Sequence, residues 1–247
     1  MAKSVRIDVL LVERGLVDSR EKARRLIMAG HVRVENRPNL KPGDKIPVEA
    51  EITLLEPPKY VGRGGLKLET ALDAFGIDPS GMTCLDVGAS TGGFTDCLLQ
   101  RGASRVHAID VGHDQLDWKI RSDPRVVVQE GCNARYLKNE MIGELVDLVV
   151  IDVSFISLTL ILQPVAAVLQ PEGMVVALIK PQFELSSAEV GKGGVVRDEA
   201  ARERAIEKIR AFCVEIPFGW RGCVPSAITG ATGNQEYLAW LQKPSAS

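Results

Sequence analysis

An acidic residue followed by closely spaced glycines is the first group with the types and spacing for ligand binding. Residues 83–87 form an apolar run that contains Asp86, and the turn Gly88-x-x-x-Gly92-Gly93 follows it. Glycines let the backbone approach a ligand, and the first N–H groups of a following helix can donate to it. The spacing differs from the G-x-G-x-x-G of dinucleotide sites, and the acidic residue suits a cationic cofactor without phosphates. The candidate cofactor contacts of this turn are Asp86, Gly88, Ala89, Ser90, Thr91, Gly92, Gly93 and Phe94.

Polar residues also stand at the ends of the next two predicted strands. Asp110 closes one strand, where a carboxylate can accept hydrogen bonds from both ribose hydroxyls of a nucleoside cofactor. Asn133 follows the other strand, where the base of such a cofactor would lie. The alternatives are a solvated strand-end carboxylate for Asp110 and a turn-forming residue for Asn133. The two positions together predict a cofactor that contains a nucleoside.

An acid and an amine follow two further apolar runs. Asp152 comes directly after residues 148–151, and Lys180 comes directly after residues 174–179. The carboxyl ends of parallel strands form the ligand side of an open sheet, so these side chains can bind the cofactor or activate a nucleophile there. The alternative is a structural ion pair at the sheet edge. Lys67 and Glu236 are weaker candidates, because each alone is compatible with an ordinary surface charge.

The segments that position these residues alternate between strand and helix patterns. Such alternation predicts an α/β fold with a parallel sheet, right-handed crossovers and helices on both faces. The predicted strands are 83–87, 105–110, 126–130, 145–152 and 174–179, with terminal strands at 218–225 and 236–241. The predicted helices are 66–75, 93–101, 158–169 and 198–214, and the polar, Gly-rich segment 184–197 is a predicted loop.

The N-terminal segment predicts a separate, smaller α+β domain. Ser19 is a suitable N-cap for a helix over 20–29, which Gly30 ends. Strands are predicted at 31–34 and 52–55, with a turn at Asn36 and Pro38, and an apolar face is predicted to include Ile7, Leu10, Leu11 and Leu16. Pro57-Pro58 and the glycines of 62–65 mark a linker. The predicted domains are therefore 1–58 and 66–247, joined by 59–65.

Charge divides between the two ends of the chain. The net charge is −2, but residues 1–66 carry 13 Lys and Arg against 9 Asp and Glu, a net of +4. The remaining 17 and 23 give −6. A basic module joined to an acidic one is compatible with nucleic-acid binding, although a solvated amphipathic helix is the alternative. The candidate phosphate contacts are Arg20, Lys22, Arg24, Arg25, Arg33, Arg37 and Arg63.

Several classes of protein are disfavoured by what the sequence lacks. Its apolar runs fall short of the ~18 residues of a membrane-spanning helix, and the N-terminus does not have the pattern of a secretory signal. The five cysteines form no C-x-x-C pair, which predicts reduced thiols in a cytoplasmic protein without a metal site. The sequence assigns no oligomeric state.

Four motifs in order resemble the TlyA family, bacterial proteins also called hemolysin A and described as ribosomal RNA 2′-O-methyltransferases. The resemblance covers essentially the whole chain. Residues 19–34 look like an S4 RNA-binding module, and residues 60–68 look like the family linker, although Gly62 stands where members often have Ser. Segments 86–95, 151–155 and 179–184 resemble a methyltransferase domain of the FtsJ type.

The resemblance implies a Rossmann-like domain that uses S-adenosylmethionine to methylate a ribose of ribosomal RNA, naked or in ribosomal subunits. It also implies a catalytic tetrad of Lys67, Asp152, Lys180 and Glu236. Lys180 would act either as a general base for the 2′-hydroxyl or as an electrostatic stabiliser of the developing alkoxide. No metal is needed in either version.

Three other functions remain as alternatives. A membrane-active hemolysin would need a spanning or strongly amphipathic apolar segment, which the sequence lacks, so stable membrane insertion is not expected. A non-catalytic RNA-binding factor for ribosome assembly would bind RNA without affinity for the cofactor. A small-molecule methyltransferase would have no use for the N-terminal module.

Overall fold

A computed structural model describes residues 4–35, 37, 39–56 and 58–245. The predicted turn residues Asn36 and Pro38, and Pro57 of the predicted linker, lie outside the described residues. The chain divides into two compact units, Met1–Lys59 and Tyr60–Ser247.

The first unit contains two helices and two small antiparallel strand pairs. Ser19 caps the second helix as predicted, because its side chain accepts a hydrogen bond from the Lys22 N–H. Leu16 is 38% exposed and does not share the buried face of the first helix, contrary to the prediction, since the chain has left the helix by then. The elements are β1 (Ser4–Arg6), α1 (Ile7–Glu13), α2 (Arg20–Met28), β2 (Val32–Val34), β3 (Lys45–Pro47) and β4 (Ile52–Leu54), with β1 paired to β3 and β2 to β4.

The second unit alternates strands and helices as the sequence predicts. Its first helix begins at Gly64, inside the predicted linker. The strands are β5 (Thr83–Val87), β6 (Arg105–Ile109), β7 (Val126–Gln129), β8 (Val146–Ile151), β9 (Leu169–Ile179), β10 (Gly219–Pro225) and β11 (Tyr237–Gln242). The helices are α3 (Gly64–Phe75), α4 (Gly93–Gln100), α5 (Trp118–Arg121), α6 (Asn139–Ile142), α7 (Leu162–Ala166), α8 (Pro181–Glu184) and α9 (Glu199–Glu215), with 3₁₀ turns at Ala134–Tyr136 and Leu158–Leu160.

The strands form one sheet in the order β10-β11-β9-β8-β5-β6-β7. The five strands from β5 to β9 are parallel, whereas β11 pairs antiparallel with both β9 and β10. The chain runs outward from β5 through β6 and β7, then returns to place β8 on the other side of β5. Open sheets bind ligands at such a switch point, at the carboxyl ends of the strands.

Both faces of the sheet are buried. Leu85 and Val149 belong to the core on one face, and their neighbours Cys84 and Leu148 belong to the core on the other. The predicted helix 158–169 is wrong: a 3₁₀ turn, the short helix α7 and the start of β9 occupy that range. Pro164 accounts for the break before α7, because its ring would clash with the Leu160 carbonyl in a helix that continued back through the 3₁₀ turn.

Candidate active site

The glycine turn and the loop after β8 are in direct backbone contact. The Asp152 N–H donates to the Val87 carbonyl at 3.0 Å. A Cβ added to Gly88, whose φ is +87°, would lie 2.5 Å from the Asp152 carbonyl oxygen. No larger residue fits at position 88 without moving the loop that carries Asp152, so this glycine serves a close approach as well as a turn.

Asp110 holds the turn in shape. Its Oδ2 accepts a hydrogen bond from the Ser90 N–H at 2.8 Å, and its Oδ1 accepts one from the Gly112 N–H at 2.8 Å. Ser90 has a φ of +48°, an uncommon conformation that the bond to Asp110 stabilises. The carboxylate lies at the carboxyl end of β6, as the sequence predicts, and lines a cavity there.

Two adjoining cavities open at this edge of the sheet. The larger, about 330 Å³, is lined by Asp110, Asn133 and the segment 152–156, among others. The smaller, about 230 Å³, follows the glycine turn and reaches Lys180. Their shared lining residues are Gly88, Ser90, Asp152 and Ser154. Small-molecule sites have volumes of roughly 300–1,000 Å³, so the two cavities together have the size of a cofactor site.

The sequence-predicted cofactor contacts divide into two groups. Eight of them line one or both cavities: Gly88, Ala89, Ser90, Thr91, Gly93, Phe94, Asp110 and Asn133. Asp152 lines both. Asp86 and Gly92 line neither. A Cβ at Gly92 would lie 2.9 Å from Leu116 Cδ1, so that glycine packs the turn against the segment after β6.

Asp86 is fully buried beneath the turn. Its Oδ2 accepts a hydrogen bond from Thr95 Oγ1 at 2.6 Å, while its Oδ1 has no hydrogen-bond partner among the described residues. Burial raises the pKa of Asp86 to about 7, and the nearby Asp152 carboxylate adds to the effect. The contact to Thr95, at the start of α4, ties β5 to the helix that follows the turn.

Two lysine–carboxylate pairs lie at the carboxyl ends of β8 and β9. Lys180 Nζ is 2.6 Å from Asp152 Oδ1 and donates to Ser154 Oγ at 2.8 Å. Lys67 Nζ, on α3, is 2.5 Å from Glu236 Oε2. Lys67, Lys180 and Glu236 are all buried.

The strand register and the start of α3 bring these pairs to one place. Tyr237 pairs with Ile179, so the preceding Glu236 comes level with Lys180 across the antiparallel ladder. A Cβ at Gly64 would lie 3.8 Å from Asp152 Oδ2, and Lys67 follows one turn later on the same helix. Asp152 and Lys180 line the smaller cavity, whereas Lys67 and Glu236 line neither cavity and reach its neighbourhood only through Gly64 and the β9–β11 register.

The segment before α3 packs onto the glycine turn. A Cβ at Gly62 would lie 2.5 Å from Thr91 Oγ1, so the two segments approach closely at this glycine. The Val61 N–H donates to Asp96 Oδ2 at 2.9 Å, and Arg63 Nη2 donates to the Thr229 carbonyl at 3.0 Å. Arg63 thus belongs to the second unit and not to the basic surface of the first.

The loop after β8 is held by a clamp whose residues no sequence pattern marks. Glu184, buried at the end of α8, accepts hydrogen bonds from Ser157 Oγ at 2.5 Å and from the Leu158 N–H at 2.8 Å. Phe183 contacts Phe155 with ring centroids 5.0 Å apart. These contacts join segments that are remote in sequence, so no local pattern reports them.

Phe155 is the most unusual residue of this loop. It has a φ of +64° and is 90% exposed, although it lines the larger cavity. A bulky side chain in the left-handed region is strained, and such strain concentrates at functional sites. Ser154, its neighbour, bonds Lys180, so this loop joins the cavity mouth to the lysine.

The predicted RNA contacts of the first unit differ in whether their side chains already have partners within the protein. Arg24, Arg25 and Arg33 are exposed and make no side-chain ion pair or hydrogen bond within the described part of the chain. Lys22 pairs with Asp18, Arg37 donates to the Lys45 carbonyl, and Arg20 pairs with the buried Asp8.

The pKa of Asp8 is lowered to about 2, first by its hydrogen bond from Arg6 and then by Arg20. Arg20 therefore also stabilises the fold.

Comparison with known proteins assigns both units. The profile of the FtsJ-like methyltransferase family matches residues 60–243, and the S4 domain profile matches residues 5–52. The chain is 46% identical over 246 residues to the 16S/23S rRNA (cytidine-2′-O)-methyltransferase TlyA of Mycobacterium tuberculosis, which covers 98% of this chain and 91% of the relative. The chain belongs to the TlyA family of FtsJ-like methyltransferases.

Other TlyA-family relatives carry the older name. Hemolysin A of Brachyspira hyodysenteriae is 43% identical over 236 residues, covering 95% of this chain and 98% of that protein. A solved structure from Streptococcus thermophilus with a hemolysin name has a TM-score of 0.75 at 45% identity, over 99% of this chain and 90% of that one. No helix within the described residues is long and apolar enough to cross a membrane.

The second unit has the fold of S-adenosylmethionine-dependent methyltransferases. An O-methyltransferase of Bacillus cereus, solved in complex with SAH, has a TM-score of 0.51 at 15% identity, over 76% of this chain and 84% of that one. At that identity the likeness concerns the fold alone. Across residues 4–35, 37, 39–56 and 58–245, no cluster of three or more His, Cys, Asp or Glu side chains could hold a metal ion.

Proposed function

We propose that this protein transfers a methyl group from S-adenosylmethionine to a ribose 2′-hydroxyl of ribosomal RNA. The observation that carries the proposal is the Lys180–Asp152 pair at the junction of the two cavities. The names of the TlyA relatives support ribosomal RNA as the substrate. The S4 domain supports RNA binding by the first unit.

The cavities fit the proposed cofactor by the chemistry of their walls. Asp110 would accept hydrogen bonds from the ribose hydroxyls, Asn133 would lie near the adenine, and the turn from Gly88 to Gly93 would follow the methionyl part. The walls offer carboxylates and backbone N–H groups without a basic phosphate cradle, as a cationic cofactor requires. When bound, the cofactor supplies a methyl group on an already activated sulfonium.

Lys180 is positioned to stabilise charge. Its Nζ forms an ion pair with Asp152 Oδ1 and donates a hydrogen bond to Ser154 Oγ, and these two contacts hold the amine at the edge of the smaller cavity. An ammonium held there would stabilise the oxyanion that develops as the 2′-hydroxyl loses its proton, which would pass to a carboxylate such as Asp152 or to water. This geometry favours the electrostatic role of Lys180 over that of a general base. Glu236 would keep Lys67 in place one helical turn from Gly64. Holding both reactants in line supplies much of the rate enhancement.

Phe155 offers a contact for the nucleotide itself. Its exposed ring stands at the mouth of the larger cavity, which its neighbours Val153 and Ser154 also line. An aromatic face can stack on an unpaired base, as single-stranded RNA recognition uses. We therefore place the target base beside Phe155.

The test is methyl transfer from labelled S-adenosylmethionine to ribosomal subunits and to naked ribosomal RNA, followed by mapping of the 2′-O-methyl group. Lys180→Ala and Asp152→Ala should each lower turnover at least about 100-fold, the usual effect of removing one charge-stabilising group. Lys192→Ala, in the exposed loop after α8, is the control and should keep full activity. Near-wild-type turnover by Lys180→Ala would exclude this lysine from catalysis. Calorimetry that finds no cofactor binding would favour the assembly factor.

A further inference from the structure

A second groove lies beside the larger cavity and shares no lining residue with either of the two candidate cofactor cavities. It has a volume of about 490 Å³ and an open mouth. We call it the Tyr136 groove; it is lined by Arg135, Tyr136, Leu137, Lys138, Thr159, Leu160, Gln163 and Pro164. Tyr136 is 66% exposed and Leu160 is 47% exposed, so the groove presents an aromatic ring and an apolar wall to solvent.

The charge of this groove is opposite to that of its unit. Residues 67–247 carry a net charge of −6, yet two cations and no carboxylate line the groove. The side chains of Arg135 and Lys138 make no ion pair or hydrogen bond with any residue that the structure describes. Other cations of the same unit are neutralised, as Lys119 is by Asp96 and Arg121 by Glu130. Two unpaired cations beside an exposed tyrosine therefore form a site for an anion that also carries a flat ring.

The two segments that form the walls of the groove also supply residues to the walls of the larger cavity. Asn133 and Ala134 line the cavity, and Arg135 and Tyr136 continue the same turn into the groove. On the other wall, Ile156 and Ile161 line the cavity while Leu160 lines the groove. Thr159 joins this wall to the clamped loop through a 2.9 Å hydrogen bond with Ser157. A polymer whose reacting unit enters the cavity mouth can thus continue along the groove.

We propose that the Tyr136 groove binds a single-stranded RNA segment adjacent to the methylated nucleotide. Tyr136 stacks on a base, while Arg135 and Lys138 contact the flanking phosphates. Grooves that combine a stacking ring with cations bind single strands in this way, with little preference for sequence. The inference rests on the proposed function, because it takes RNA as the substrate, and it adds a second RNA contact surface to that of the S4 domain.

The experiment measures binding and catalysis separately. The binding probe is a short, labelled single-stranded RNA oligonucleotide, and the catalytic substrate is naked ribosomal RNA. Tyr136→Ala should raise the Kd for the oligonucleotide and the KM for ribosomal RNA about tenfold, since one stacked base contributes a loss of that order. The double variant Arg135→Ala/Lys138→Ala should lower the slope of log K against log salt by about 1.4, the value for two single-strand phosphates. The Kd for S-adenosylmethionine and the kcat should stay within twofold of wild type.

Trp118→Ala is the matched control. Trp118 is also an exposed aromatic residue close in sequence to two cations, Lys119 and Arg121. Those cations are paired with Asp96 and Glu130, so removal of the Trp118 ring should leave RNA binding unchanged. Equal loss in the Trp118 and Tyr136 variants, or wild-type affinity in the Tyr136 groove variants, would overturn the proposal. So would variants that lose activity on intact subunits alone, since the groove would then contact a ribosomal protein. If the wild type binds the oligonucleotide through the groove yet transfers no methyl group, the proposed function fails while the groove assignment stands.

Discussion

Phe155 combines a strained backbone with an exposed ring, and neither feature helps the chain to fold. Left-handed backbone at a non-glycine residue costs about 1–3 kcal/mol. The conformation persists because the residues around it are fixed: Ser154 bonds Lys180, Phe183 contacts the ring, and Ser157 bonds Glu184. Because such strain concentrates at functional sites, we expect the position of the ring to matter for function.

Phe155→Gly tests whether the strained backbone lowers stability while the ring serves RNA binding. Glycine adopts the +64° φ without strain, so the melting temperature should stay the same or rise slightly, while the KM for RNA should rise several-fold. Phe155→Ala is the comparison: it removes the ring but keeps a Cβ, so it should lose RNA affinity equally and melt below the glycine variant. Thermal melting and steady-state kinetics give both quantities. A glycine variant with wild-type KM would show that the ring does not touch the substrate.

Asp86 makes the stability of the second unit depend on pH. Its folded pKa, about 7, lies above the ordinary value of 3.8, so the folded state holds the proton more tightly than the unfolded state. This contribution to stability is complete below about pH 4 and is lost as the pH rises through about 7. Asp86→Asn should therefore match the wild type near pH 4 and melt several degrees higher at pH 8.

The control for the pH experiment is Asp114→Asn, which removes an exposed carboxylate. Its melting temperature should differ from that of the wild type by the same small amount at both pH values. An Asp86→Asn variant that is less stable than the wild type at pH 8 would mean that the ionised carboxylate has a partner in the folded state.

Residue types and positions predicted part of the site from sequence. Asp110, Asp152 and Lys180 could be located because each is a charged residue at the end of an apolar run, where burial demands a reason. Phe155 and Glu184 could not be located in this way. The sequence does not show that a phenylalanine has a positive φ, and a buried glutamate in a polar segment has the same sequence pattern as a solvated one. Asp86 was identified, but its full burial was not.

At the scale of elements, the short helix α8 acts on the loop between β8 and the 3₁₀ turn that follows. Lys180, Phe183 and Glu184, within one turn of chain, contact Asp152, Phe155 and Ser157 in the same order. Glu184 has Lys208 as its cationic neighbour, with Nζ 3.4 Å from Oε2. The helix therefore fixes both the proposed catalytic pair and the mouth of the cavity.

Glu184→Gln should weaken that clamp while keeping the shape of the side chain. Hydrogen bonds to a charged group contribute about 1.5–3 kcal/mol, so we expect kcat/KM for RNA to fall about tenfold. Glu189→Gln is the control, because Glu189 accepts similar bonds from Ser186 and Arg204 in the next loop, away from the cavities. A Glu184→Gln variant that melts earlier but keeps its kcat/KM below the melting temperature would reduce Glu184 to a purely structural role.

Apolar runs predicted the strands well, because each central strand is buried on both faces and contains few polar residues. Pairing was harder to predict: nothing in residues 218–241 reveals that β11 inserts between β9 and β10. That insertion brings Glu236 level with Lys180, so the position of one tetrad residue depended on sheet order and not on any local pattern. The strands β1 and β3 have three residues each, which is too short for a period-2 pattern to predict them.

At the scale of the whole molecule, the two units carry opposite charge, and the free cations of the first should dominate its salt-dependent RNA binding. Arg24→Ala/Arg25→Ala/Arg33→Ala should lower the slope of log K against log salt by about 2–3, since each arginine would no longer neutralise a phosphate. The Kd for S-adenosylmethionine should not change. Titration of labelled ribosomal RNA at several salt concentrations measures the slope.

Two further variants serve as comparisons for this measurement. Arg210→Ala, on α9 of the second unit, removes an exposed cation that pairs with Glu207 and should leave the slope unchanged. Arg20→Ala should also lower the melting temperature, because it leaves the buried Asp8 with Arg6 alone. An unchanged slope in the triple variant would move the docking surface away from α2 and β2.

The division into two units has a kinetic consequence. When one unit of a tethered pair is bound, the other experiences its ligand at a high effective concentration, so its own contacts can be weak and short-lived. The methyltransferase unit can then sample and release a nucleotide many times during a single residence of the S4 domain on the ribosomal RNA. The ionic strength of the surroundings, by setting that residence time, would govern how many attempts each encounter allows.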